Sequence, residues 1–314
     1  MNDFALASQL AAALGARALP LFFAGLALLL IAISAAHALL QRFMFRPWSW
    51  PPLPQGARSP LSPGALLLRR LLLGFAVVVA AAWVFAEIAD ALGDGRRASQ
   101  LDQIFSDAVT AHLAPQAYAA FAVLTHLANT ATLVAMGALV ALGLLVLRRP
   151  WLASGWLMAL CGNALLNVTL KAVFARARPL HDAALVQAQG FSFPSGHSSG
   201  AVVAYGMLAY LLLRLLPPRL ASRVALPLVL LAAALAYSIG CSRIFLQVHF
   251  ATDVLAGFAS GSVWLAICIS SMAFMEHRKT NALLARRQAE AASPPDDLGK
   301  QADGKVGANI YSGK

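Results

Sequence analysis

The sequence predicts an all-α fold, a polytopic membrane helical bundle of about seven transmembrane helices. Two observations carry that reading. The chain is 60% hydrophobic and only 12% charged, about half the charged fraction of a soluble domain. Several of its apolar runs also reach the roughly 20 residues needed to cross a bilayer core.

Seven such runs follow in order, at residues 19–40, 71–90, 117–147, 151–173, 198–216, 224–239 and 254–274. The third is long enough to tilt or to extend beyond the bilayer, and the sixth is short. After the first run come Arg42, Arg46, Arg58, Arg69 and Arg70. Arg148 and Arg149 follow the third, Arg214, Arg219 and Arg223 follow the fifth, and Arg278, Lys279, Arg286 and Arg287 follow the seventh. The other side carries Arg17, then Arg96 and Arg97 offset by Asp94 and Asp102. The positive-inside rule therefore puts the first set in the cytoplasm and the amino terminus outside. Ala36-His37-Ala38 resembles a signal-peptide cleavage site, but cleavage would leave the basic tail outside. The first run is read as a retained span.

Three regions result. Residues 1–70 hold the first span and an interfacial cytoplasmic loop around Pro47-Trp48-Ser49-Trp50-Pro51-Pro52. Residues 71–275 form the main membrane domain. Residues 276–314 are expected to be a disordered cytoplasmic tail, polar from about Thr280 onward. The net charge of +11 lies in loops and tail, where an anionic membrane face explains it, and no nucleic-acid partner is expected. Cys161, Cys241 and Cys268 have no CxxC spacing and read as small core residues.

The chemistry gathers in three short stretches on the side opposite the basic loops. Lys171 and Arg178-Pro179 close the fourth span. If the helix persists, two turns separate the cations and both project the same way. Pro194-Ser195-Gly196-His197 opens the fifth span, with Ser195 as cap and unpaired N–H groups suited to an anion. Gly196 lets a phosphate approach the backbone. In the third stretch, Arg243 precedes His249 and Asp253, which lie four apart on one helix face. A carboxylate behind an imidazole fixes its tautomer and leaves the other nitrogen free to attack or take a proton. Together these groups specify an oxyanion site. No carboxylate cluster accompanies them, and three cations already supply the charge stabilisation a metal would bring, so neither metal nor other cofactor is expected. Arg176 and His181 share the motif loop and read as bystanders, while His112, His126, Glu87 and Asp90 read as outer rim.

Lys171–x6–Arg178-Pro179, Pro194-Ser195-Gly196-His197 and Ser242-Arg243–x5–His249–x3–Asp253 resemble, position by position, the three-part signature of the type 2 phosphatidic acid phosphatase superfamily. The resemblance implies a metal-independent lipid phosphatase, multi-pass in a bacterial inner membrane, with its active site facing the periplasm. It implies that His249 is the nucleophile, oriented by Asp253, and that His197 protonates the leaving oxygen. Lys171, Arg178, Ser195, Gly196 and Arg243 would hold the phosphoryl group of a lipid phosphate. Undecaprenyl diphosphate, phosphatidic acid and phosphatidylglycerophosphate head the substrate candidates. Lipid phosphotransfer and lipid A dephosphorylation stand as alternatives, with a solute transporter as a remote one. The first span is additional to what many bacterial members need.

Overall fold

A computed structural model describes residues 2–41, 63–93, 96–179 and 190–292. Among them every regular element is helical. The order is α1 (Asn2–Ala16), α2 (Ala18–Leu39), α3 (Pro63–Gly93), α4 (Arg96–His112), α5 (Pro115–Leu124), a short 3-10 helix (Thr125–Ala128), α6 (Thr130–Val146), α7 (Pro150–Phe174), α8 (Gly196–Leu215), α9 (Pro218–Phe245) and α10 (Ala251–Ala292). Among the described residues six helices are long and apolar enough to cross a membrane. The bent pair α5–α6 makes a seventh if counted as one span. The expected bundle of about seven spans is therefore the fold.

Three departures have local causes. The third predicted span is broken, with a 42° bend between its halves. Asn129 caps the restart: its Oδ1 accepts Thr132 N–H at 2.8 Å, while Thr132 Oγ1 donates to His126 O at 2.7 Å. Helix α9 overruns the predicted end at residue 239, because Gly240-Cys241-Ser242-Arg243 is buried and helical. Helix α10 continues to Ala292 through Ala-, Leu- and Arg-rich sequence that favours a helix, so the first residues of the expected tail are helical. The Pro47–Pro52 segment, Asp94, His181 and residues 293–314 lie outside the described residues.

The chain divides into two units, Met1–Met272 and Ala273–Lys314. In the second, the described helix exposes Leu283 and Leu284, and Arg278 lies 6.0 Å from the Phe274 ring. The first unit contains the core. One part of that core joins α6, α7, α8 and α10 around Trp156, Met207, Val203 and Cys268. Trp156 and Trp264 are accommodated because their indole N–H groups donate to Gly137 O (3.0 Å) and Ala159 O (2.9 Å). The other part joins α2, α4, α5 and α9. There Phe121 stacks on Phe245 at 4.2 Å and Phe22 meets both rings edge-on. The additional amino-terminal span is thus packed against the last turn of α9. Outward faces of α2 and α3 expose Phe23, Leu28, Phe75 and Trp83, as helices bathed in lipid do.

Helix α10 reaches the start of α8 through Gly257. A Cβ there would stand 2.6 Å from Ser195 O and 2.8 Å from Ser198 Cβ. Gly257→Ala is expected to lower stability by about 1–3 kcal/mol, read as a reduced melting temperature in detergent. Gly143→Ala, where an added Cβ meets nothing within 4 Å, is the matched control and should cost nothing.

Candidate active site

Four helix ends converge at one end of the bundle. They are the C-termini of α7 and α9 and the N-termini of α8 and α10. The backbone itself ties two of them together, Ser195 N–H donating to Asp253 O at 2.9 Å.

Lys171 lies in the last turn of α7. The helix stops at Phe174, short of Pro179, because Ala175 turns left-handed at φ 44°. The chain then runs beside residues 190–192, with Ser192 N–H donating to Arg176 O (2.8 Å) and Ser192 Oγ to Ala177 O (2.9 Å). Arg178 therefore reaches the site from a non-helical segment, so the two-turn spacing expected if the helix persisted does not apply. Its NH1 donates to Val248 O at 2.6 Å and lies 3.3 Å from His249 Nε2, and its Nε donates to Gly190 O at 3.0 Å. Lys171 Nζ donates to Phe191 O (2.5 Å) and Ser192 O (3.2 Å). Both cations thus contact the backbone of residues 190–192.

Ser195 caps α8, its Oγ accepting from Ser198 N–H at 3.4 Å and Ser198 Oγ at 2.9 Å. Gly196 has a packing reason beyond backbone access, since a Cβ would come within 2.9 Å of Asn167 Oδ1. His197, in the first turn, lies within electrostatic reach of Arg243, His249 and Arg178.

Arg243 is buried near the end of α9. Its NH1 donates to Thr125 Oγ1 at 2.6 Å, and its Nε makes no hydrogen bond to the described residues. A buried donor without a partner calls for an acceptor, and a phosphate oxygen meets that need. The break in the third span brings Thr125 to this position. His249 and Asp253 are buried together, with Nδ1 3.4 Å from Asp253 Oδ2, which also accepts Phe250 N–H at 3.0 Å. An Nδ1–H facing the carboxylate leaves the Nε2 lone pair toward Arg178, the arrangement that Arg178 as donor also requires. Burial pulls the imidazole down to about 4, against the upward pull of Asp253, and the charges of Arg178 and Arg243 add to the depression. The ring is therefore neutral at neutral pH. Burial also lowers Arg178 from its ordinary value, with Asp253 opposing.

Two side chains read from sequence as peripheral are central to this geometry. Arg176 NH1 bridges Asp253 Oδ1 (2.7 Å) and Thr252 Oγ1 (2.8 Å), its NH2 meets Asp102 Oδ2 at 2.8 Å, and its guanidinium lies 4.3 Å from the Phe250 ring. Thr252 Oγ1 donates to Asp102 and closes the ring of contacts. Burial pushes the Asp102 carboxyl above its ordinary value, opposed by Thr252 and Arg176. Ser106, one turn further along α4, donates to Gln247 Oε1 at 2.5 Å. Gln247 is itself held at φ 59° in the turn before His249. Helix α4 thus braces the loop carrying His249. The eight residues chosen from sequence share one end of the first unit, whereas Asp102, Thr125, Asn167 and Arg176 emerge only in three dimensions.

The PAP2 superfamily profile matches residues 151–275. Phosphatidylglycerophosphatase B of Bacillus subtilis (strain 168) is 37% identical over 138 residues, covering 44% of this chain and 66% of that protein. A crystal structure of a transmembrane PAP2 type phosphatidylglycerolphosphate phosphatase from Bacillus subtilis matches with a TM-score of 0.57 and 31% identity, over 61% of this chain and 93% of that one. The chain belongs to the PAP2 superfamily. The PAP2 stretch contains all eight residues selected by motif, together with Arg176. Asp102 and Thr125, on elements before α7, fall outside it.

Proposed function

We propose that this PAP2 protein is an integral membrane phosphatase that hydrolyses lipid phosphate monoesters or diphosphates through a phosphohistidine intermediate, at the periplasmic face of a bacterial inner membrane. The observation that carries the reading is the His249 imidazole held between Asp253 and Arg178, with Nδ1 toward the carboxylate and Nε2 toward the guanidinium.

In this reading the phosphoryl group enters among Lys171, Arg178, Arg243 and the first turn of α8, where Ser195 and Gly196 present the helix start. The Nε2 lone pair attacks phosphorus, and the bond to the lipid oxygen breaks. His197, in its protonated form, gives a proton to that oxygen. Asp253 stabilises the charge that develops on His249. Water then attacks phosphorus and returns a proton to His197, the phosphorus–nitrogen bond breaks, and inorganic phosphate leaves. The cations balance the charge of the transferring group throughout, so the step needs no metal.

Substrate choice follows the relative that carries the name phosphatidylglycerophosphatase B. Phosphatidylglycerophosphate and phosphatidic acid lead, with undecaprenyl diphosphate beside them. Purified protein in detergent is expected to release phosphate from these lipids in the presence of EDTA. Loss of turnover on chelation, restored by a divalent ion, would falsify the metal-free step. A reporter fused after Lys314 is expected to read as cytoplasmic, and a periplasmic readout would reverse the orientation.

A further inference from the structure

Asp253 divides its two oxygens between different tasks. Oδ2 faces His249 and the Phe250 N–H, while Oδ1 is taken by Arg176. Arg176 is in turn held by Asp102, which arrives from α4, 74 residues earlier in the chain. The cluster is buried: side-chain exposure is 11% for Arg176, 6% for Asp102 and 0% for Asp253. A single guanidinium therefore separates two carboxylates that would otherwise repel one another in a poorly solvated place.

We propose that Arg176, anchored by Asp102, is the positioning residue that sets both the orientation of the Asp253 carboxylate and how strongly it supports His249. The proposal rests on the phosphohistidine reading above. Arg176 withdraws negative charge from Asp253 and so weakens its hold on an imidazolium. Asp102 returns part of that charge and keeps the guanidinium from drifting toward the incoming phosphate. One cation between two anions leaves a net negative charge, which matches the positive charge His249 acquires when it bonds to phosphorus.

A merely structural staple and a positioning pair make different predictions. If the pair positions Asp253, Arg176→Gln and Asp102→Asn each lower kcat about 10- to 100-fold and leave KM within about two-fold, because neither residue holds the phosphate. Their acid limbs must also move in opposite directions. Removing the Arg176 charge makes His249 easier to protonate, so activity fails at a higher pH than in the unaltered protein. Removing the Asp102 charge makes His249 harder to protonate, so activity persists to a lower pH. The other charged groups facing the pair are Lys171 on α7, Arg178 after it, His197 on α8 and Arg243 on α9. All four are unchanged in both variants, as is the ionisation of the substrate.

The experiment is a kcat–pH series on full-length protein in detergent with dioctanoyl phosphatidic acid, accompanied by melting curves. Opposite limb shifts with lowered kcat support the proposal. Unaltered kcat, or losses that track melting temperature with both limbs unmoved, overturn it. If the neutral variants do not fold, Arg176→Lys decides. It keeps the charge, but one ammonium cannot reproduce the guanidinium's two-sided bridge, so kcat must fall with the acid limb near that of the unaltered protein; full kcat overturns the proposal. An inactive unaltered protein, or an active His249→Ala, would instead sink the phosphohistidine reading itself. An active protein that His249→Ala silences and Arg176→Gln spares sinks only the positioning role.

Discussion

His249→Ala is expected to bring lipid phosphate hydrolysis to background, a loss of about 10⁴-fold or more. Alanine removes an imidazole that has one ring nitrogen facing Arg178 and a carboxylate behind the other. The cations would remain, so the variant should still bind phosphate or its analogues. Retained competition by vanadate with no turnover would separate lost chemistry from lost folding. The pH dependence gives a second reading of the same residue. With the imidazole pulled down to about 4 by burial, His249 stays neutral across the physiological range, and, if it is the nucleophile, its own protonation removes activity only as pH falls toward that value. Substantial turnover by His249→Ala would mean that water is activated directly, with no phosphoenzyme.

The bundle and the eight motif residues were legible because both depend on local patterns. Apolar runs announce spans through length alone, and a site built at helix ends keeps its residues within short windows such as 194–197 and 249–253. The supports of the site obey no local pattern. Asp102 meets Arg176 and Thr252 across some 75 and 150 residues, and Thr125 meets Arg243 across 118. In sequence, Asp102 is merely an acid offsetting Arg96 and Arg97. Arg176 sits inside the first motif, in its loop, where nothing local names its partners, and the helical spacing of that motif holds only if the helix persists. The left-handed turn at Ala175 removes that premise and sends Arg176 toward Asp253. Nor could hydropathy reveal the end of α9, since Ser242 and Arg243 look like a loop until burial and partners are known.

His197→Ala carries the second large effect, an expected loss of about 10²–10⁴-fold in kcat, and its size should depend on what leaves. A lipid alkoxide is a poor leaving group and needs a proton as its bond to phosphorus breaks. A nitrophenolate needs none. Phosphate release from p-nitrophenyl phosphate should therefore be far less sensitive to His197→Ala than release from phosphatidic acid, provided His197 acts as the acid and is not simply part of the binding surface. If His197 only bound phosphate, both substrates would lose activity in proportion, through KM as much as kcat. The same logic extends to diphosphates. In a polyprenyl diphosphate the group expelled is itself a phosphate, a better leaving group than an alkoxide, so diphosphates should suffer less than monoesters from the same substitution. The ratio of the two losses reports how far the chemistry leans on His197, a quantity that the cations around the phosphate do not set.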